Sequence, residues 1–398
     1  MAPIATTEKP ADDKVTSLKA AINPFYSPSE VGKDGDDYKW AKYKPVFPKI
    51  DWEPLKDVEV TERGLLADPS KKNLLGAASK VIHYNPTIGT ELHGIDLRHL
   101  TDAQKDELAL LVAERGAVFF RDQELDIHEQ LKLAEHFGPL HYHATTPVPA
   151  EPGLEAVHVV YTSGEKRPDP SVFAQVELWH SDVSYEVQPP SITSLKLYHG
   201  PPYGGDTLWS SGYALYSSFS PEFQKYLESH SAVHSGVSAT DGAIASGIHV
   251  RRPAVESVHP LVRVNPATGW KSVYVNFGFT RRIVGVPKAE SDAILNFLFR
   301  QINENPEFTC RLHWEPNTVA FWDNRVTMHS ATHDYWPHGR HALRATPRGE
   351  KPLSVAEYEA KYGKAAGDRQ LEIWKEKGLD AGPSIKVENS FKTRGYND

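Results

Sequence analysis

Cysteine is almost absent: Cys310 is the only one in 398 residues. That excludes an intrachain disulfide framework and any multi-cysteine zinc or iron–sulfur site, so a metal in this chain must sit on His, Asp or Glu. Long hydrophobic runs are missing too. No stretch approaches the roughly 18 apolar residues that a membrane helix needs, and the amino-terminal MAPIATTEKPADDK lacks the apolar centre of a secretory signal. An intracellular, cytoplasmic protein without membrane association is the expectation. Excess positive charge is lacking as well: Lys+Arg 44 stand against Asp+Glu 52, a formal net charge of −8, which leaves no electrostatic footprint for nucleic acid. A small-molecule partner is expected instead.

What is present can bury a sizeable core, since 39% of the residues are hydrophobic. Residues 1–75 are rich in Lys, Asp, Pro and scattered aromatics ("DDYKWAKYKPVFPKIDWEPL") without a sustained period, which reads as an extended N-terminal arm whose aromatics pack on another surface or subunit. Residues 76–352 form the patterned domain, and 353–398 a C-terminal helix, "AEYEAKYGKAAGDRQLEIWKEKG", and tail.

Within the domain, Thr101-Asp-Ala-Gln104 is a capping box ahead of an apolar stripe of Leu108, Leu111 and Val112, with Gly116 as the stop. "AVFFRD" reads as a short buried strand. Asp126 and Glu129 cap a second helix with Ile127, Leu131 and Ala134 on its inner face and Gly138 at its end. The runs "EAVHVVY", "SITSLKLYH", "DTLWSS", "KSVYVNFGF" and "NTVAFWDN", separated by Pro, Gly and Asp, argue for a sandwich or barrel. Helices starting at Ser220-Pro221 and running from about Lys288 to Asn303 interrupt them. The sum is a mainly β domain with helical additions.

"WHSDVSYE" carries the first chemistry. On a strand, residues two apart share a face, so His180 and Asp182 can aim an imidazole and a carboxylate at one ion. Two ligands are too few, and a third must come from elsewhere. "WDNRVTMHSATHDYWPHGRHALRATPRG" offers His329, His333, His338 and His341, and spacing does not choose among them, although His329 is the first beyond a core strand. A solvated His- and Arg-rich loop is the competing reading. Two histidines and one carboxylate with open positions suit non-haem ferrous iron. Arg340 and Arg344, four apart, are forked donors that imply acidic substrates, or else surface salt bridges. Thr207 in "YGGDTLW" reads by itself as part of a turn entering a strand.

"WHSDVSYEVQPPSITSLKLYHGPPYGGDTLWSS" followed by "EPNTVAFWDNRVTMHSATHDYWPHGRHALRATPRGEKP" resembles the taurine dioxygenase family of iron(II)- and 2-oxoglutarate-dependent oxygenases, in particular its fungal sulfonate dioxygenase branch. "GIDLRHLTDAQ", "AVFFRDQ", "HFGPLHYHATTP" and "VNFGFTRRIVG" extend the resemblance from about Ile82 to Pro352. It implies a double-stranded β-helix, or jelly roll, with flanking helices. It implies iron ligands His180, Asp182 and His329, with Thr207 and Arg340 on the distal carboxylate of 2-oxoglutarate. It further implies that Arg344 lies where cosubstrate and substrate meet and contacts the sulfonate, that His143 touches the same anion, and that Phe279 is an apolar pocket wall.

The chain departs from taurine dioxygenase at two positions: Thr146 stands for a tyrosine shortly after the substrate histidine, and Val176 for an asparagine four residues before the first iron ligand. An apolar wall cannot reward an amino group, so a larger or less polar alkyl or aryl sulfonate is expected rather than taurine. The implied reaction consumes dioxygen and converts 2-oxoglutarate to succinate and carbon dioxide. It hydroxylates the carbon beside the sulfonate, and the product collapses to an aldehyde and sulfite. Retention of Asp182 favours hydroxylation over the halogenation of relatives that lack the carboxylate. Other readings keep the triad but act on a carboxylate or amino acid by hydroxylation, desaturation or cyclisation, or make the chain a zinc hydrolase or a non-catalytic barrel for a metal or anion. Residues 231–260 read either as a lid or as an ordered surface excursion. By analogy with relatives, a homo-oligomer is expected.

Overall fold

The computed structural model describes residues 38–165, 174–376 and Gly378. The expectations for residues 1–37 of the arm and for the tail beyond Gly378 lie outside the described residues.

The strands that position the site are β1 (Lys80–His83), β2 (Thr90–His93), β3 (Ala117–Phe120), β4 (Val157–Thr162), β5 (Ile192–His199), β6 (Thr207–Ser211), β7 (Ser231–Ser235), β8 (Glu256–Pro260), β9 (Thr280–Ile283), β10 (Thr309–Leu312), β11 (Val319–Asp323), β12 (Thr327–Ala331) and β13 (Arg340–Ala345). The helices are α1 (Asp102–Arg115), α2 (Ile127–Phe137), α3 (Pro221–Glu228), α4 (Val237–Ala245) and α5 (Lys288–Glu304). A seven-stranded sheet runs β1-β2-β3-β11-β5-β13-β4, antiparallel except for the parallel pair β2/β3. A three-stranded sheet, β10-β6-β12, lies against it, and a third, β8-β7-β9, stands alongside. This is the jelly-roll layering expected, two sheets closed around a core.

Side-chain alternation explains why the central strands read as unbroken apolar runs. In β3 and β11, Phe119, Ala320 and Trp322 point between the sheets, where Trp322 meets Trp209 of β6 at 5.9 Å between ring centroids. Val118, Phe120, Val319 and Phe321 point the other way, into a cluster with Leu108, Leu111 and Val112 of α1 and Leu133 and Phe137 of α2. Both faces are dry, so a period of two leaves no polar imprint.

Both capping boxes form: Thr101 with Gln104, and Asp126 with Glu129. Gly116, at φ 70°, ends α1 and turns the chain into β3. The buried face of α2 is Ile127, Gln130, Leu133, Ala134 and Phe137, so Leu131 is half-buried at its edge rather than central. The C-terminal segment differs from expectation. It forms two helices, Val355–Tyr362 and Arg369–Glu376, because Gly363 adopts the left-handed conformation at φ 63° and caps the first.

The described part of the arm is extended apart from the 3-10 turns Ala41–Tyr43 and Arg63–Leu66 and the start of the short helix Lys72–Ala77, and it is fastened to this chain's own domain. Trp40 and Tyr43 pack edge-on against Tyr198 of β5, Val58 exchanges hydrogen bonds with the Gln188 side chain, and Glu62 pairs with the buried Arg325. Residues 231–260 hold β7 and β8, paired antiparallel, with α4 between them. Among the described residues no helix is long and apolar enough to cross a membrane.

Candidate active site

His180 and Asp182 do not lie on a continuous strand. His180 makes a single antiparallel bridge to His329 of β12: its N–H donates to the His329 carbonyl at 3.0 Å, and the His329 N–H returns a bond at 2.8 Å. The chain then turns at Asp182, and Val183 follows at φ 39°, a strained conformation for a β-branched residue. The shared face therefore comes from one bridge and a turn. Asn324, in the connection between β11 and β12, holds that turn. It accepts from the Asp182 N–H at 2.6 Å and donates to the Asp182 carbonyl at 2.9 Å.

The result brings together one of the four candidate histidines, His329, with His180 and Asp182. The three ligand atoms lie within 4.8 Å of one another. Nε2 of His180 is 3.6 Å and Nε2 of His329 3.7 Å from Asp182 Oδ1. His180 Nδ1 lies 2.8 Å from the Leu178 carbonyl, which can only accept, so Nδ1 carries the hydrogen and Nε2 keeps its lone pair for the cluster. Asp182 Oδ2 and His329 Nε2 are buried without a hydrogen-bond partner among the described residues. Buried polar atoms are costly when unpaired, and a divalent cation bound by two imidazoles and a carboxylate would satisfy them. The donor set therefore fits iron(II). The other candidates go elsewhere: His333 lines the cavity wall, His338 packs edge-on against Tyr203, and His341 is buried against Tyr38 and Tyr43.

Electrostatics favour an ionised Asp182 beside a neutral His329. Burial alone would raise the Asp182 carboxyl, but the Arg344 guanidinium, which donates to Oδ1, holds it well below the usual carboxylate range. Burial holds His329, His143 and His158 well below the ordinary histidine value. His143 has a fixed tautomer: the backbone N–H groups of Thr145 and Thr146 point at its Nδ1 from 3.2 and 3.3 Å, which leaves the hydrogen on Nε2.

A cavity of about 430 Å³ opens beside these groups. Its polar end carries His143, His158, His180, Asp182 and Arg344; its wall includes Val160, Leu178, Phe279 and, from α4 and beyond, Ala239, Ala243 and Ile248. Residues 231–260 thus contribute an ordered wall to the site. Thr146 lines the cavity, whereas Val176 does not. The short 3-10 turn Gln175–Leu178 directs Glu177 and Leu178 inward and packs Val176 against the cluster of Leu295 and Leu298 under α5.

Thr207 and Arg340 meet beside this cavity at Trp314, whose Nε1 donates to Thr207 Oγ1 at 2.9 Å and whose ring lies 5.6 Å from the Arg340 guanidinium. The β6/β12 register sets Thr207 opposite Ala331 and Trp209 opposite His329. Thr207 therefore projects on the same face as the triad histidine, two residue pairs along. Three contributors escaped the sequence reading: Asn324, His158 and Arg251. Only His158 left a signal, a histidine at an alternating position of "EAVHVVY" on the face it shares with Val160 and Thr162.

The family model "Taurine catabolism dioxygenase TauD, TfdA family" matches residues 80–346. A Schizosaccharomyces pombe protein provisionally named an alpha-ketoglutarate-dependent sulfonate dioxygenase is 42% identical over 318 residues, covering 80% of this chain and 81% of its own. The alpha-ketoglutarate-dependent sulfonate dioxygenase of Saccharomyces cerevisiae is 38% identical over 331 residues, 79% of each chain. A crystal structure of a taurine dioxygenase from Burkholderia xenovorans superposes with a TM-score of 0.59 at 30% identity, covering 70% of this chain and 93% of that one. With a buried His-Asp-His cluster inside a jelly roll, the chain belongs to the TauD/TfdA family and is an iron(II)- and 2-oxoglutarate-dependent dioxygenase.

Proposed function

We propose that the enzyme oxidises the carbon next to the sulfonate of an alkanesulfonate, releasing sulfite and an aldehyde, with 2-oxoglutarate and dioxygen as cosubstrates and succinate and carbon dioxide as coproducts. The observation that carries this reading is the cavity's polarity. One end presents two donors suited to an anion, Arg344 and the Nε2–H of His143, directly beside the His-Asp-His cluster, and the remainder is largely apolar. The names of the yeast relatives support it.

In this reading His180, Asp182 and His329 hold iron(II). Arg340 and Thr207 hold the far carboxylate of 2-oxoglutarate: the fork of Arg340 can grip both oxygens, and the Thr207 hydroxyl can donate to one of them. Iron(II) with 2-oxoglutarate would, when bound, activate dioxygen, the oxidant, so that one oxygen atom enters succinate and the other replaces a C–H hydrogen by hydroxyl. The protein's share is positioning. Arg344 and His143 anchor the sulfonate so that its neighbouring carbon faces the metal cluster. Phe279, with Leu178 and Val160, excludes water along the organic chain, and the hydroxylated carbon then expels sulfite as its C–S bond breaks and its hydroxyl becomes a carbonyl. The apolar wall built by Ala239, Ala243 and Ile248 favours an alkyl chain along that side of the cavity.

The test compares an alkanesulfonate with the carboxylate of the same chain length, measuring succinate formation above the substrate-free rate. Stronger stimulation by the sulfonate, accompanied by sulfite, is expected. Stimulation by the carboxylate alone would transfer the enzyme to carboxylate chemistry.

A further inference from the structure

Arg251 and Arg252 are 1% and 2% exposed, unusual burial for two adjacent arginines. Their donors go chiefly to the backbone of one loop, the one that carries His143. Arg251 Nε and Nη2 donate to the His143 carbonyl at 3.2 and 2.8 Å, Nη2 also reaches the Thr146 carbonyl, and its backbone N–H donates to the Ala144 carbonyl at 2.9 Å. Arg252 Nη1 donates to the Tyr142 carbonyl at 2.8 Å, while its Nη2 meets Glu186 Oε1 at 2.5 Å. The carbonyls of residues 142, 143, 144 and 146 are all engaged by these two residues.

The N-terminal arm closes over this clamp. The Trp52 ring lies 4.9 Å from the Arg251 guanidinium and meets Tyr142 edge-on at 5.6 Å, and the Trp52 N–H donates to the Arg251 carbonyl at 2.6 Å. A guanidinium can fork between two carbonyls and stack on an indole at once; a lysine ammonium cannot.

The loop's geometry has a chemical consequence. Only while the amides of Thr145 and Thr146 point at Nδ1 does His143 present its hydrogen on Nε2. We propose that Arg251, braced by Trp52, is a positioning residue that fixes His143 as an Nε2–H donor and thereby sets how tightly the anionic head of the substrate is held. This rests on the role proposed above for His143. The arm is then part of the substrate site, although it touches no reacting atom. Arg251 also follows closely on Ile248 and α4, so the apolar wall and the anion anchor are fastened to each other.

Two variants of the full chain test this: Arg251→Lys, which removes the fork, and Trp52→Leu, which removes the indole under Arg251 together with its edge contact to Tyr142. Hydrogen–deuterium exchange at the amides of residues 142–146 should rise about tenfold in Arg251→Lys, with a smaller rise in Trp52→Leu, while exchange in β11 and β12 stays unchanged. With iron-loaded enzyme the KM for an alkanesulfonate should rise about tenfold with kcat within about twofold, and 2-oxoglutarate affinity by calorimetry should not move. Adding Arg251→Lys to His143→Ala should not raise KM further. Unchanged loop exchange overturns the proposal whatever the substrate is. Exchange that rises throughout the domain, or 2-oxoglutarate affinity that falls in step, shows general loosening and overturns it too. A wild-type enzyme that forms no sulfite sinks the sulfonate reading alone, and loop exchange still decides the clamp.

Discussion

Asn324→Ala should weaken iron binding although Asn324 is no candidate ligand. Its side chain accepts from the Asp182 N–H at 2.6 Å and donates to the carbonyls of Asp182 at 2.9 Å and Pro190 at 3.4 Å. Removing it strands the Asp182 N–H and carbonyl in a buried turn, at about 1–3 kcal/mol for each unpaired group. Some of that is recovered, because Val183 at φ 39° is free to relax once the turn is released, and such strain is on the order of 1–3 kcal/mol. The net loss of stability in the metal-free protein is then about 2 kcal/mol. Relaxation of Val183 carries the Asp182 carboxylate away from His180 and His329, and losing an outer partner of this kind typically costs about 10–100-fold in metal affinity. Urea unfolding of the metal-free protein gives the first quantity, and anaerobic iron(II) titration against a competing chelator gives the second. Iron affinity within about twofold of wild type in a destabilised variant would refute the argument that Asn324 aims the carboxylate.

Arg340→Ala should keep iron while 2-oxoglutarate affinity falls by about 2 kcal/mol or more, as expected for a lost charge-assisted fork; unchanged cosubstrate dependence in calorimetry would remove Arg340 from that role. Ala243→Phe should fill the α4 side of the cavity, so that kcat/KM for long-chain sulfonates drops at least about tenfold while short chains are spared; equal losses across a chain-length series would place the alkyl tail elsewhere. His259 gives a pH prediction. Burial lowers it from the ordinary 6.5 to about 4, so the unfolded chain takes up the proton first as pH falls. Its contribution is whole above pH 6.5 and is lost between 6.5 and about 4. Between pH 7 and pH 5 this amounts to about 2 kcal/mol, and His259→Gln should flatten the stability–pH curve by that amount in chemical denaturation.

Local signals carried much of the fold. The boxes at Thr101/Gln104 and Asp126/Glu129 involve side chains three apart, and both helices begin where those residues stand. Gly363 carried the signal for a break that the reading of one continuous C-terminal helix passed over. His180 and Asp182 were found by assuming a strand, yet the structure joins them by one bridge and a turn, so the residues were legible and the backbone was not. The remainder depended on distance. Asn324 reaches Asp182 across 142 positions and Arg251 reaches His143 across 108, and no periodicity encodes such pairings. Val176 shows the limit at close range: a single turn of 3-10 helix decides whether a residue faces the cavity or α5, and "AQVELW" gives no cap or period that fixes it.

In the proposed reaction one substrate carbon is oxidised for each 2-oxoglutarate consumed, at the expense of a C–S bond. Stoichiometry measures it most directly: iron-loaded enzyme, 2-oxoglutarate and a medium-chain alkanesulfonate, with oxygen uptake, succinate, sulfite and aldehyde quantified in one reaction. Equal amounts of all four are expected. Succinate that rises with the sulfonate while sulfite and aldehyde stay at background would contradict it.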